Sequence, residues 1–143
     1  MKMSMLLLLF FSFSCLLVAQ NFSGEWRGNL TRDYGHKVTT DSIEFHLQQE
    51  GSKISGFSIL YVKPGLFIRS KLDGTIQEST SILRIKETKM EYTNMPDRGD
   101  EIFLDEYLLY YDSKDSSTLT GKSIASQPKV VYSRSKMEVH KVL

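Results

Sequence analysis

The sequence predicts an all-β domain, an eight-stranded antiparallel up-and-down barrel, with a β-sandwich as the alternative architecture. Apolar residues recur with a period of two along most of the chain, the spacing of half-buried strands. Short polar breakers interrupt that pattern at Glu50-Gly51-Ser52-Lys53, Lys63-Pro64-Gly65, Gln77 to Thr80, Asn94 to Asp100, Asp112 to Ser117 and around Gln127-Pro128. No window of 3.6-residue period is long enough for a full helix, and only Asp33 to Thr40 has room for a single helical turn.

The first nineteen residues are different material. One charge, Lys2, precedes an apolar run from Leu6 to Val18 that is relieved by Ser12, Ser14 and Cys15. Its length suits the apolar region of a signal peptide and is short for a membrane span. Ala19 supplies the small residue before an expected cleavage at Ala19-Gln20, although Leu17 is larger than the residue preferred there; an uncleaved anchor is the alternative. Cys15 lacks the preceding aliphatic residue of a lipidation site and reads as a small hydrophobe within the run. The expected organisation is therefore a signal peptide at 1–19 and one barrel domain at 20–143, exported to a periplasmic or extracellular space.

In the first strand, Phe22, Gly24, Trp26, Gly28 and Leu30 share a face opposite Ser23, Glu25, Arg27, Asn29 and Thr31. Ile43, Phe45 and Leu47 alternate with Glu44, His46 and Gln48, and the turn at Glu50 to Lys53 leads into Ile54 to Tyr61. Beyond Pro64-Gly65, Ile68, Ser70, Leu72, Gly74 and Ile76 lie opposite Phe67, Arg69, Lys71 and Asp73. The next strand, Ser81 to Thr93, sets Leu83 and Ile85 against Arg84 and Lys86. Ile102 to Tyr111, Thr118 to Ser123 and Val130 to Val139 complete eight strands. Sequential strands prefer to be neighbours, and closing eight of them leaves no exposed edge.

Gly24-Glu25-Trp26, at the start of the first strand, resembles the Gly-x-Trp signature that opens lipocalins and related calycins, avidin-like barrels among them. The wider layout, Phe-x-Gly-x-Trp-x-Gly-x-Leu followed by Gly-x-x-Ile-x-Gly at Gly51 to Gly56, is similar to uncharacterised exported calycin-like domains of Bacteroidetes-type bacteria. The resemblance runs over most of the chain after the leader, but its specific residues are few, and the cysteine pair common in secreted lipocalins is absent. It implies that Trp26 packs across one barrel end beneath a basic side chain near the last strand, with Arg134 or Lys136 in position, a stack contributing on the order of 1 kcal/mol.

The chain carries 18 basic and 17 acidic residues in 143, and removing Lys2 with the leader leaves 17 of each. That balance gives no reason to expect nucleic acid as a partner. The single cysteine lies in the leader, so the exported domain must rely on its core and its sheet. His36, His46 and His140 are not spaced as metal ligands, and His46 alternates with Phe45 and Leu47 to face outward. Asp97, Asp100, Glu101 and Asp105 lack the alternating oxygen ligands of a calcium loop, and Arg98 sits among them. Arg84, Lys86 and Lys89 read as a solvated outer stripe. No nucleophile elbow, phosphate loop, dinucleotide fingerprint or acid–base pair appears, so neither an enzyme nor a cofactor is expected.

Glu87 stands apart. Counting from Leu83 and Ile85, its side chain points inward, as a ligand-facing group or part of an ion pair, unless a bulge carries it to a wet rim. Tyr107 and Tyr111 share a face with Phe103, Asp105 and Leu109, suitable either for an amphipathic ligand or for cross-strand packing. The expected function is a non-catalytic, exported calycin-like barrel that binds a small apolar or amphipathic ligand. Its expected lining is Trp26, Phe45, Leu47, Ile68, Leu72, Leu83, Ile85, Glu87 and Tyr107. The alternative is an interaction module whose loop at Asn94 to Asp100 and strand faces contact an envelope or secreted protein.

Overall fold

The computed structural model describes residues 20–96, 104–125 and 134–143; the expected leader, Arg98 and the acidic residues Asp97, Asp100 and Glu101 lie outside the described residues. Eight strands follow in order: β1 (Gly24–Asp33), β2 (Val38–Glu50), β3 (Lys53–Lys63), β4 (Leu66–Gln77), β5 (Ile82–Thr93), β6 (Asp105–Asp112), β7 (Asp115–Ala125) and β8 (Arg134–Lys141). Each strand pairs antiparallel with the next, and β8 closes on β1. The fold is an all-β, closed up-and-down barrel, and closure removes the free edges that would otherwise template aggregation.

The turns explain why the strands end where they do. Gly51 (φ 61°) and Gly65 (φ 78°) occupy the left-handed region at the tips of the β2–β3 and β3–β4 hairpins. A single turn, Glu78–Thr80, links β4 to β5. The helical turn expected at Asp33 to Thr40 is replaced by a tight loop and the first residues of β2. Asp33 Oδ1 accepts from Gly35 N at 2.8 Å, Tyr34 N donates to Lys37 O at 2.8 Å, and Gly35 takes φ 83°. Val38, Thr39 and Thr40 are then β-branched and favour a pleated strand.

Period-two alternation puts Trp26 and Leu30 of β1, Ile43, Phe45 and Leu47 of β2, Leu72 of β4, Leu83 and Ile85 of β5, Tyr107 and Leu109 of β6, Leu119 of β7 and Met137 and Val139 of β8 in one buried cluster. Full burial of such a side chain contributes about 1.5–3 kcal/mol before the entropy of ordering is subtracted. Gly28 marks a seam where backbones approach closely: a Cβ there would stand 1.9 Å from the Glu138 carbonyl oxygen of β8.

Trp26 and Phe22 close one end of the barrel. The Trp26 indole Nε1 donates to Phe22 O at 2.9 Å, and the Phe22 ring packs 4.8 Å from Tyr111. The cation over Trp26 is Lys141, whose Nζ lies 5.6 Å from the ring centroid and donates to Asn21 O at 2.8 Å. The expected pairing with Arg134 is thereby corrected. Trp26 is opposite Lys141 in the β1–β8 ladder, whereas Arg134 is opposite Asp33 and Lys136 opposite Thr31, toward the other end, and both basic residues are exposed.

Candidate binding site

At the end of the barrel opposite Trp26 the inward-facing residues become polar. Continuing the inward rows gives Arg32 on β1, Ser58 on β3, Ser70 on β4, Glu87 on β5, Asp105 on β6 and Ser123 on β7, all buried. The inner surface is therefore divided, with aromatic and branched aliphatic side chains toward Trp26 and hydroxyls and charges toward the other end.

Glu87 is the centre of this half. Ser58 Oγ donates to its Oε1 at 2.7 Å, the Tyr107 hydroxyl to the same oxygen at 2.9 Å, and the backbone N–H of Asp105 to Oε2 at 3.0 Å. The β4–β5 register slips just past it: Leu72 pairs with Glu87, but Lys71 pairs with Lys89. The bulge foreseen as a way to bring Glu87 to the rim therefore follows it, and Glu87 stays inside.

A second link crosses the interior. Arg32 Nη2 pairs with Asp105 Oδ2 and Arg32 Nη1 lies 3.3 Å from Asp41 Oδ2. Since β1 and β6 are not neighbours in the barrel, the Arg32–Asp105 pair spans the lumen rather than running along the sheet. The connected groups run Asp41, Arg32, Asp105, Glu87, Ser58 and Tyr107, joining β1, β2, β3, β5 and β6.

Burial governs the ionisation of these groups. It pushes the Glu87 carboxyl above its ordinary value of 4.5, against the three donors and with the nearby Asp105 adding to the rise. It raises Asp105 above 3.8 as well, although Arg32 opposes the rise. Burial disfavours the Arg32 cation, but the charge and hydrogen bond of Asp105, together with Tyr107 and Tyr34, outweigh it and hold the guanidinium protonated. Tyr107, fully buried next to Glu87, is pushed well above 10 and stays a neutral donor. The site thus holds a fixed cation beside a carboxyl whose proton affinity is raised by burial.

Among the described residues, one buried polar atom in this half lacks a partner. Ser123 is opposite Tyr107 in the β6–β7 ladder, and its Oγ is shielded from solvent with no hydrogen bond. Its backbone N–H and C=O are both engaged by Ser135 Oγ, at 2.9 and 2.7 Å. A buried unsatisfied hydroxyl costs about 1–3 kcal/mol, so such a group calls for an explanation.

Of the residues expected to line the interior, Trp26, Phe45, Leu47, Leu72, Leu83, Ile85, Glu87 and Tyr107 are buried on inward rows. Ile68 is half-buried near the polar rim, paired with Leu60 and Thr93. Arg84, Lys86 and Lys89 are exposed, with Arg84 paired to Glu106 at 2.5 Å. Asp105, grouped by sequence with a solvated acidic loop, is instead a buried partner of Arg32. Arg32 itself was missed, although extending the Trp26, Gly28, Leu30 row by one more step lands on it. Among the described residues no helix is long and apolar enough to cross a membrane.

The geometry defines the class: a closed, eight-stranded up-and-down barrel of lipocalin-like architecture with one apolar and one polar inner half. No family model matches the chain, and no curated protein matches it.

Proposed function

We propose that this protein is an exported, non-catalytic calycin-like barrel that takes a small amphipathic ligand at the polar half of its interior. The observation that carries the reading is the unpartnered, buried Ser123 hydroxyl beside the Glu87–Tyr107–Ser58 network. A guest with one polar head would satisfy that hydroxyl and Glu87, while its apolar part packs toward Phe45 and Leu72. The apolar end is sealed by Phe22, Trp26 and Lys141, so entry is assigned to the Arg32–Asp105 end.

Trp26 is the sole tryptophan and is buried in the core, so its emission reports on the interior. Titration with dodecanoate and with dodecylamine, followed by that emission, is expected to give a saturable change with at least one probe. Ser123→Leu, which replaces that hydroxyl with a larger apolar side chain, is expected to abolish it while the far-ultraviolet circular dichroism stays that of a barrel. A linear response with both probes, or saturation unaffected by Ser123→Leu, overturns the reading.

A second reading, an interaction module without a small-molecule guest, is favoured by one feature. Tyr61, Phe67 and Tyr92 form a row on the outer face, with ring centroids 6.1 and 5.6 Å apart and Tyr92 55% exposed. The row adjoins Asn94, whose side chain clamps the β3–β4 turn through Phe67 N at 2.9 Å and Gly65 O at 2.6 Å. Capture of a partner from an exported fraction by the native protein, lost on Tyr92→Ser, is the outcome that supports it; recovery of the barrel alone argues against it.

A further inference from the structure

We propose that Glu25, Glu44 and His46 form a site for a divalent cation of the zinc class on the outer face of β1 and β2. The site follows from the ladder. Glu25 is opposite His46 and Arg27 is opposite Glu44, and all four point outward. One ligating atom from each of Glu25, Glu44 and His46 lies within 4.8 Å of the others.

The imidazole is fixed in place. Its ring stacks on Phe57 of β3 at 4.3 Å and 14°, and the Arg69 guanidinium covers Phe57 at 3.7 Å. Held this way, His46 Nε2 is shielded from solvent and has no hydrogen bond; its nearest charged neighbour, Glu44 Oε2, is 3.5 Å away. Glu25, His46 and Phe57 also line a surface hollow of about 400 Å³ beside the cluster.

The donor set selects the ion. An imidazole nitrogen with two carboxylates suits zinc, whereas calcium and magnesium favour all-oxygen shells. Three protein ligands leave the fourth tetrahedral position for water. Ligands at zinc distances stand roughly 3.4 Å apart, so the carboxylates must close by up to about 1.4 Å, within the reach of the soft terminal torsions of glutamate. Arg27 now bridges the two carboxylates, paired with Glu25 and, at 3.4 Å, with Glu44. Its side chain is 59% exposed, and exposed ion pairs are weak, so a dication can displace it.

The test is calorimetric titration of the untagged protein with zinc chloride, paired with nitrogen-15 spectra of the histidine rings. One equivalent of zinc is expected to bind and to shift His46 Nε2. His46→Gln and Glu44→Gln are each expected to weaken binding by more than tenfold, beyond the loss from an outer-shell change. Arg27→Gln is expected to tighten it. His140→Gln, which removes the exposed histidine paired with Glu138 on β8, is expected to leave it unchanged. No binding, binding that survives His46→Gln, or weakening by Arg27→Gln overturns the proposal.

Discussion

Arg32→Met removes the one cation paired with Asp105 among the described residues and leaves that carboxylate in a nearly dry site. The side chains of Arg32 and Asp105 are 8% and 6% exposed, so water cannot replace the lost partner. At an effective dielectric near 20, two charges about 4 Å apart attract by about 4 kcal/mol, and breaking a buried pair typically costs 3–5 kcal/mol. A small domain holds about 5–15 kcal/mol in total, so the variant should lose a large share of it. With a urea slope of about 2 kcal/mol/M, the midpoint is expected to fall by roughly 1.5–2.5 M at pH 7. The double variant Arg32→Met/Asp105→Leu removes both charges of the lumen pair, leaving only Asp41 without its partner, and is expected to recover part of that loss, because desolvation of the pair offsets much of its attraction. Equilibrium urea unfolding of the wild type, both singles and the double closes the cycle. A single-variant loss under about 1 kcal/mol, or a double variant no better than Arg32→Met, refutes the assignment of this pair as a buried brace across the lumen.

The Glu87 carboxyl is raised above 4.5 in the folded state, so the fold binds its proton more tightly than the unfolded chain does. Its contribution to stability is fully present below about pH 4.5 and is lost as pH rises through the folded value; relative to Glu87→Gln, the wild type should therefore have its greatest advantage in acid, read as the difference in melting temperature between pH 4.5 and 8. A difference that grows with pH contradicts this. Lys141→Met should cost about 0.5–1 kcal/mol through the lost contact with Trp26, while Arg134→Met should fall within about 0.5 kcal/mol of the wild type, both read from urea midpoints. Gly28→Ala drives a Cβ to 1.9 Å from Glu138 O, so it should destabilise by about 3 kcal/mol or more and release the β1–β8 amides to hydrogen exchange first.

The barrel was legible because its strands are amphipathic, and alternation survives any tertiary context that keeps one face dry. Ser70 and Leu72 on β4, and Leu83, Ile85 and Glu87 on β5, face inward as counting by two requires. What was not legible depended on register between distant strands. Nothing local distinguishes Lys141 from Arg134 as the cover for Trp26; the β1–β8 pairing decides it. Asp105 looked like one of several loop acids because its partner, Arg32, is 73 positions earlier in the chain. The Asp33 to Thr40 segment misled because its Asx turn and left-handed Gly35 occupy a stretch too short to show alternation.

The most direct test of an interior that receives a guest is the native mass of the untagged protein, compared with its mass after denaturation. The proposal predicts a native species heavier than the bare chain by one small molecule, released on denaturation and missing from Ser123→Leu. A native mass equal to that of the bare chain, unchanged after incubation with dodecanoate or dodecylamine, contradicts it.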